Sequence, residues 1–419
     1  MKTKLIILAI ALRLLVSALM FHPDIKTIAF QTSFLKKGVI DIYPYLLVNR
    51  ATLPLKEEFV YFPSTYLTVG AYQAVVSTVF GQDFENWLMD AGANSVVNNP
   101  NIFKYLIALK LPLLLMDIAV AYLLLKYFTD KQSLSLRDKK DGENAFVLWL
   151  FNPFTIILIY AFSNIDMYAV LLTVIAFLYI KREQLLKASI FIGLAASFKL
   201  YPLLFVPFLF LKARSTKEKV LSVLIPVGIL VAVIIPFWSQ SFVQSALVSG
   251  LSTRIFSPGI TIGFGESIIV GLFLLSALFF YAFLFDEQSS PLRGKKIKLF
   301  NYFVALLFII FSFSHFHISW LLWIAPFLVI LVIKKPNLGW PIFFWAIFAI
   351  SIPLLYADRS MSLSLFRIYT SWFDLLPTPF TVMLKFYDPY NFQGILHSAL
   401  AGLSAVIAFA ILKKGELEK

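Results

Sequence analysis

Side chains able to do chemistry are sparse in this 419-residue chain, which holds 23 Asp and Glu, four His and no Cys. Asp24 follows the first apolar run in Phe21-His22-Pro23-Asp24-Ile25-Lys26, where a carboxylate can accept the proton of an attacking hydroxyl. The plainer use is a solvated Asp capping the next helix. Lys199, Arg254, Arg359 and Arg367 are the cations placed to meet a phosphate, Lys as a point charge and Arg as a bidentate fork. Their plainer uses are a snorkelling Lys and loop or headgroup arginines. His315 and His317, in Ser314-His315-Phe316-His317-Ile318-Ser319, can donate to the same phosphate. No neighbouring spacing supplies the further ligands a metal needs, so no metal site is expected. Without Cys there is no disulfide, thiolate nucleophile, iron–sulfur cluster or Cys-type zinc site. Phosphate loops, dinucleotide fingerprints, zinc-peptidase motifs and hydrolase elbows are likewise missing from the sequence.

The elements that carry these residues belong in a membrane. The chain is 60% hydrophobic, 17% aromatic with 44 Phe, and 14% charged. Soluble domains average about 45–50% apolar and about 25% charged. A cytosolic enzyme, a disordered protein and an ordinary nucleic-acid binder are therefore excluded. The net charge of +13 is a matter of membrane topology and not of a nucleic-acid partner. The first apolar run, Leu5 to Phe21, is interrupted by Arg13 and lacks a small-x-small cleavage site, which predicts an uncleaved first helix with a cytoplasmic N-terminus. Eleven further runs lie near 103–127, 145–162, 167–180, 188–199, 201–211, 220–238, 265–285, 299–314, 318–333, 337–355 and 392–412. The fold class is thus all-α and polytopic, a bundle of about 12 transmembrane helices with loop helices on the external face.

With that assignment Lys2/Lys4, the 126–140 cluster, Lys181/Arg182/Lys187, Lys212–Lys219, Arg293–Lys298, Lys334/Lys335 and Lys413/Lys414 share one side, as the positive-inside bias requires of the cytoplasmic face. Both termini are then cytoplasmic. The external side receives 22–102, 239–264 and 356–391. The apolar stretch 61–80 is expected to be interfacial or re-entrant, because a span there would turn all but the first basic cluster outward. Runs 167–180, 188–199 and 201–211 reach only about 16 to 21 Å. Non-helical backbone at membrane depth needs surrounding protein or a watery cavity, so a polar cavity is expected between them on the external side, with Lys199 near its floor and Ser163-Asn164-Ile165-Asp166 as the neighbouring external turn. Arg13 and Asp117 both fall at about 14 to 15 Å depth, which predicts an ion pair between the first two spans. A proton relay is the alternative.

Three segments also carry a resemblance. Trp149-Leu150-Phe151-Asn152-Pro153-Phe154-Thr155, Ser163-Asn164-Ile165-Asp166 and Phe198-Lys199-Leu200-Tyr201-Pro202 resemble, in order and spacing, the Asn-Pro…Gly-Asn-x-Asp…Lys-x-Tyr-Pro series of the eukaryotic GPI mannosyltransferase that adds the first mannose. The wider class is the GT-C glycosyltransferases, which includes bacterial polyprenol-phosphate-mannose-dependent mannosyltransferases. The likeness covers roughly residues 1 to 210. Beyond 240 only the His-containing turn followed by Trp320, Trp323 and Pro326 looks like the class's later His-to-Trp-Pro segment.

The resemblance implies a membrane-embedded inverting transferase that moves a hexose, mannose first, from a polyprenyl-phosphate donor to a lipid-linked or glycan acceptor on the external face of the cell membrane. In it Asp24 is the base. Lys199, His315, His317, Arg254, Arg359 and Arg367 are the donor-phosphate contacts, and Tyr61, Asn164, Asp166 and Tyr201 contact substrate. Tyr61 and Tyr201 can equally be belt aromatics. Where the GPI enzyme has Asp-x-Asp, this chain has Asp24-Ile25-Lys26, which favours a site with no cofactor and no divalent metal. Ser163 stands at the Gly of Gly-Asn. The expected division is a catalytic module at 1–238 and a variable membrane module at 239–419. The partners are the polyprenyl-phosphate sugar, the acceptor and membrane lipids, with no nucleic acid. The alternatives are a lipid-linked-sugar flippase or transporter, against which the lack of internal repeats weighs, and a non-catalytic assembly subunit.

Overall fold

In lipid a backbone must satisfy its own hydrogen bonds, so apolar runs become helices and breaks survive only inside protein. The computed structural model describes residues 2–92, 94–97, 99–130, 135–248, 260–263, 266–268, 272–289 and 299–413. It is an all-α polytopic membrane protein. The longer helices are α1 (Lys2–Leu19), α2 (Pro23–Ser33), α3 (Pro63–Met89), α4 (Ile102–Thr129), α5 (Leu136–Phe151), α6 (Met167–Lys181), α7 (Leu185–Ala196), α8 (Thr216–Ile234), α9 (Leu272–Ser289), α10 (Leu299–Phe313), α11 (Ala325–Lys334), α12 (Gly339–Leu354) and α13 (Pro389–Leu412). Ile260–Gly263 and Glu266–Ile268 pair as a short antiparallel hairpin.

Among the described residues four helices are long and apolar enough to cross a bilayer: Ile102–Thr129, Thr216–Phe237, Pro336–Leu354 and Pro389–Leu412. Counting the bent pairs α1 with α2 (83°) and α5 with Pro153–Ala161 (46°) as single spans raises this to six. The remaining apolar helices, α6, α7, Tyr201–Lys212, α10, α11 and Leu275–Phe285 of α9, have 10–17 residues, so length alone does not produce about 12 spans. The expected short elements are real: the chain breaks at 197–200, between α7 and the 3-10 turn Tyr201–Phe205. α7 lies close against α8, where a Cβ on Gly193 would come within 2.8 Å of the Pro226 Cα.

The stretch 61–80 begins α3, which is not among the span-grade helices and is interrupted at Gly81, whose φ of 67° favours glycine. The hydrophilic stretch between the runs 103–127 and 145–162, expected from its composition to be a cytoplasmic loop over 128–144, is helical from Leu136 onward, because Ser135 and Asp138 form a reciprocal capping box that starts α5 inside the basic stretch.

Basic residues near 126–130, 181–182, 212 and 334–335 gather at one end of the bundle, while Arg293–Lys298 and Lys414 lie outside the described residues. Lys181 and Lys334 both sit over the Tyr127 ring, at 4.7 and 4.8 Å. Arg182 holds Asp130 at 2.5 Å, Lys212 lies 3.9 Å from Glu183, and Lys335 donates to the Ala410 carbonyl at 2.9 Å. Asp166 and Lys181 bound α6 at its two ends, so the Asp166 turn lies about 22 Å from this basic end.

Between the ends, Arg13 and Asp117 form the expected ion pair, Nε to Oδ2 at 2.5 Å, with both side chains fully buried. Asp117 also accepts from Trp149 Nε1 at 2.5 Å and Tyr160 Oη at 2.7 Å, while Arg13 Nη1 donates to the Leu150 carbonyl at 2.7 Å. Two turns away, buried Lys110 donates to the carbonyls of Ser17, Met20 and Tyr160 at 3.0, 2.7 and 2.8 Å. Removing one member of such a pair strands the other charge, at a cost of about 3–5 kcal/mol. Arg13→Met and Asp117→Leu are each expected to lower thermal stability in detergent by that order. The double variant should lose less than the two singles summed; strict additivity would show that the pair is uncoupled.

Candidate functional site

The site begins at the 83° bend between α1 and α2. Pro23 stands at the first helical position of α2, which suits its fixed φ and missing N–H, and His22 is the N-cap. His22 Nδ1 accepts the Asp24 backbone N–H at 3.3 Å. The Asp24 carboxylate is left 48% exposed.

The second wall is the turn 163–166. A π-turn, Ile157–Ala161, delivers the chain to Ser163, whose φ of 52° is the left-handed conformation that glycine adopts most readily. This explains why a Gly can stand at the corresponding place of the resembled motif. Asn164 Oδ1 accepts the Asp166 N–H at 3.0 Å and its Nδ2 donates to the Ser319 carbonyl at 2.8 Å. Asn164 thereby ties this turn to the third wall, the His317 turn. Asp166 is 6% exposed; its Oδ2 accepts from Trp323 Nε1 at 2.8 Å, and its Oδ1 lies 3.9 Å from Lys199 Nζ.

Lys199 comes from the break after α7. It is anchored on one side by Asp166 and on the other by the Tyr61 ring, 5.3 Å away, and Ser197 beside it accepts from Ser64 at 2.7 Å. Burial holds the Tyr61 phenol neutral, pushing its pKa well up, and the nearby Asp24 and Asp166 carboxylates add to this. Tyr201 is buried, with its hydroxyl 3.2 Å from Thr173 and its ring stacked on Trp323 at 4.4 Å; Trp323 in turn stacks on the half-buried Trp320 at 4.9 Å.

His317 caps the 3-10 turn Ile318–Trp323: its Nδ1 accepts the Ser319 N–H at 3.3 Å and lies 2.5 Å from the Ser319 hydroxyl. Desolvation pushes its pKa down to about 4, against the opposing pull of Asp24 and with a further lowering from His22 and Lys199. The cap uses Nδ1, so Nε2 is the ring nitrogen that folding does not employ there. Asp24, Tyr61, Asp166, Lys199 and His317 are thus within electrostatic reach of one another, although 293 positions separate the first from the last.

The other expected residues lie differently. His315 is exposed and stacks on Tyr356 at 5.0 Å. Arg359 donates to the Asp374 carbonyl and Arg367 pairs with the Asp374 carboxylate at 3.2 Å, so these two arginines gather around Asp374 on the segment that docks on the bend through Phe21 N–H to Leu365. Arg254 lies outside the described residues. Sequence reasoning passed over His22 and Ser319. His22 precedes a Pro at N1, which is a cap position, but caps are ordinarily Ser, Thr, Asp or Asn, so the signal was masked by residue type.

Beside the site lies a small, mostly apolar pocket of about 20 Å³, lined by Ile25, Ile28, Val69, Leu109, Pro112 and Ile165 together with the polar Tyr72, Gln73 and Tyr168. Ile25 follows Asp24, and Ile165 sits between Asn164 and Asp166.

A half-exposed carboxylate, an anchored cation and an imidazole thus meet on a polytopic helical scaffold. Residues 102–285 match the model of Glycosyltransferase family 87, a GT-C-type family, and the match indicates a membrane glycosyltransferase. No curated protein matches the chain.

The lowered pKa of His317 has a sign. Between about 4 and its ordinary 6.5 the unfolded chain binds a proton that the folded chain refuses, so stability falls as pH drops through that window and is whole above it. Chemical denaturation in detergent from pH 7 to pH 4 should show this slope, and His317→Asn should flatten it. An equal slope in the variant would mean that His317 is not held neutral.

Proposed function

We propose that the protein is an inverting hexosyltransferase, with mannose the first sugar to test, that uses a polyprenyl-phosphate donor and a hydroxyl of a lipid-linked or glycan acceptor. The observation that supports it best is the convergence of Asp24, Lys199 and His317 beside a mostly apolar pocket. A lipid phosphate needs charge-matching donors for its head and apolar surroundings for its tail.

Asp24 is exposed enough to meet an incoming acceptor, and its carboxylate takes the hydroxyl proton as the oxygen attacks the anomeric carbon. The bond from that carbon to the phosphate oxygen breaks with its electron pair going to the phosphate. Single in-line displacement inverts the configuration and needs no covalent sugar–enzyme bond. The charge gathering on the departing phosphate is met by Lys199, whose ammonium is kept in place by Asp166 and Tyr61, and by the Nε2–H of His317. Asn164 and Asp166 act by fixing the turn and the cation, and Tyr61 with the Tyr201–Trp323–Trp320 stack forms the aromatic side against the sugar. His315, Arg254, Arg359 and Arg367 are assigned to the donor phosphate from the sequence alone, Arg254 lying outside the described residues. The gathering of basic clusters at the far end of α6 supports a non-cytoplasmic site in the cell membrane, with both termini cytoplasmic. The reaction as written needs no divalent metal.

Purified protein in proteoliposomes, given labelled polyprenyl-phosphate mannose or glucose and a mixture of lipid-linked acceptors, should transfer sugar in EDTA. Asp24→Asn should reduce turnover by about 10²–10⁴-fold, and Lys199→Met should weaken it with donors that keep their phosphate. Transport of intact lipid-linked sugar that survives Asp24→Asn would favour a flippase. Activity lost in EDTA and restored by a divalent cation would overturn the metal-free site.

A further inference from the structure

His22 is 2% exposed, yet its Nε2 has no hydrogen-bond partner among the described residues. A buried imidazole N–H left unsatisfied costs about 1–3 kcal/mol, so such a group calls for an oxygen. The Nδ1 side is committed: it accepts the Asp24 N–H at 3.3 Å, while the Asp24 carboxylate oxygen stands off at 3.5 Å. The ring therefore carries its proton on Nε2 and can only donate there. Its edge packs on Phe162, with centroids 5.6 Å apart. The next residue, Ser163, bears a second buried polar atom without a partner, its Oγ, and is held in the left-handed conformation. Both groups flank the cluster, one beside Asp24 and the other beside Asn164.

We infer that His22 and Ser163 form a subsite for a hydroxyl of the transferred sugar, with His22 Nε2–H donating to the sugar oxygen and Ser163 Oγ completing its hydrogen bonds. The inference rests on the glycosyltransferase reading and extends it to the sugar's recognition. A hydroxyl suits the pair better than a phosphate, because one ring N–H and one serine hydroxyl match a single oxygen and its proton, whereas the anion has Lys199. A capping interaction on one ring nitrogen thus sets the tautomer that serves substrate on the other.

Two substitutions separate the ring's two jobs. His22→Asn offers an amide oxygen to the Asp24 N–H but ends short of Nε2. His22→Gln reaches the Nε2 position with an N–H but abandons the cap. We expect His22→Asn to keep the thermal stability of the parent and to lose about 10- to 100-fold in kcat/KM, the worth of one buried donor, and His22→Gln to recover part of that loss. A set of monodeoxy polyprenyl-phosphate sugars should contain one member that is poor for the parent yet no worse than the full sugar for His22→Asn. Ser163→Ala should be blind to the same hydroxyl. With only four histidines in the chain, ¹⁵N-histidine spectra, assigned by His22→Asn, should show Nδ1 unprotonated and Nε2 protonated at His22. Parental rates for His22→Asn, equal penalties for every deoxy sugar in parent and variant, or an Nδ1–H or doubly protonated His22 would each overturn the subsite while leaving the transferase intact. A parent enzyme that transfers no sugar from any polyprenyl-phosphate donor would overturn both.

Discussion

A charge in the middle of a lipid bilayer must be answered by another charge or by converging dipoles, and the buried Asp117 is where this protein meets that demand. Its carboxylate takes Arg13 from α1, Trp149 from α5 and Tyr160 from the π-turn, while Lys110, two turns earlier on the same helix, gathers three carbonyls from α1 and the π-turn. A cation at the end of α1 also matches the negative pole of that helix. Three segments are thereby fixed relative to α4, and two of them run directly into the site. Ser17 and Met20 lead to His22 and Asp24; Tyr160 leads to Ser163 and Asp166. The orientation of the chemistry-bearing turns is inherited from a polar core about one helical layer below them.

Above that core the polar groups immobilise each other with little net charge to spare. Asn164 staples the 163–166 turn to the 317–319 turn, and Asp166 divides its oxygens between an indole N–H and the Lys199 ammonium. Two histidines cap helical starts through Nδ1, which spends one nitrogen on folding and leaves the other for a ligand. Prearranged donors of this kind need no reorganisation when charge develops on a leaving group. The short helices α6 and α7 make the arrangement possible, because helices that stop before the bilayer boundary leave room for irregular backbone that is shielded by protein.

The membrane class, the approximate places of the helices and the depth of Arg13 and Asp117 could be read from the sequence, since hydropathy and the rise of 1.5 Å per residue act locally. The pairing of those two followed because two opposite charges at one depth have few other partners. The breaks near Asn164 and Lys199 were also legible, through runs too short to span. Less legible were features decided by side chains meeting across long sequence distances. The helical start of α5 was obscured by its polar surroundings, even though Ser135 and Asp138 carried the signal. Arg359 and Arg367 share the charge of Lys199, and nothing along the chain shows that Asp374 collects them.

Composition and spacing by themselves determined that the chain is a polytopic helical membrane protein with a carboxylate, a lysine and a histidine turn at helix breaks, because burial of apolar runs and the cost of buried charge depend on residue type and local order. Only the tertiary structure decided which of many candidate cations and histidines gather in one cluster, that Asn164 and Asp166 tie its turns together, and which nitrogen of His22 and His317 caps a helical start. Those outcomes hang on distances of about 3 Å between residues up to hundreds of positions apart, and hydrogen bonds are directional over lengths that periodicity and hydropathy do not resolve.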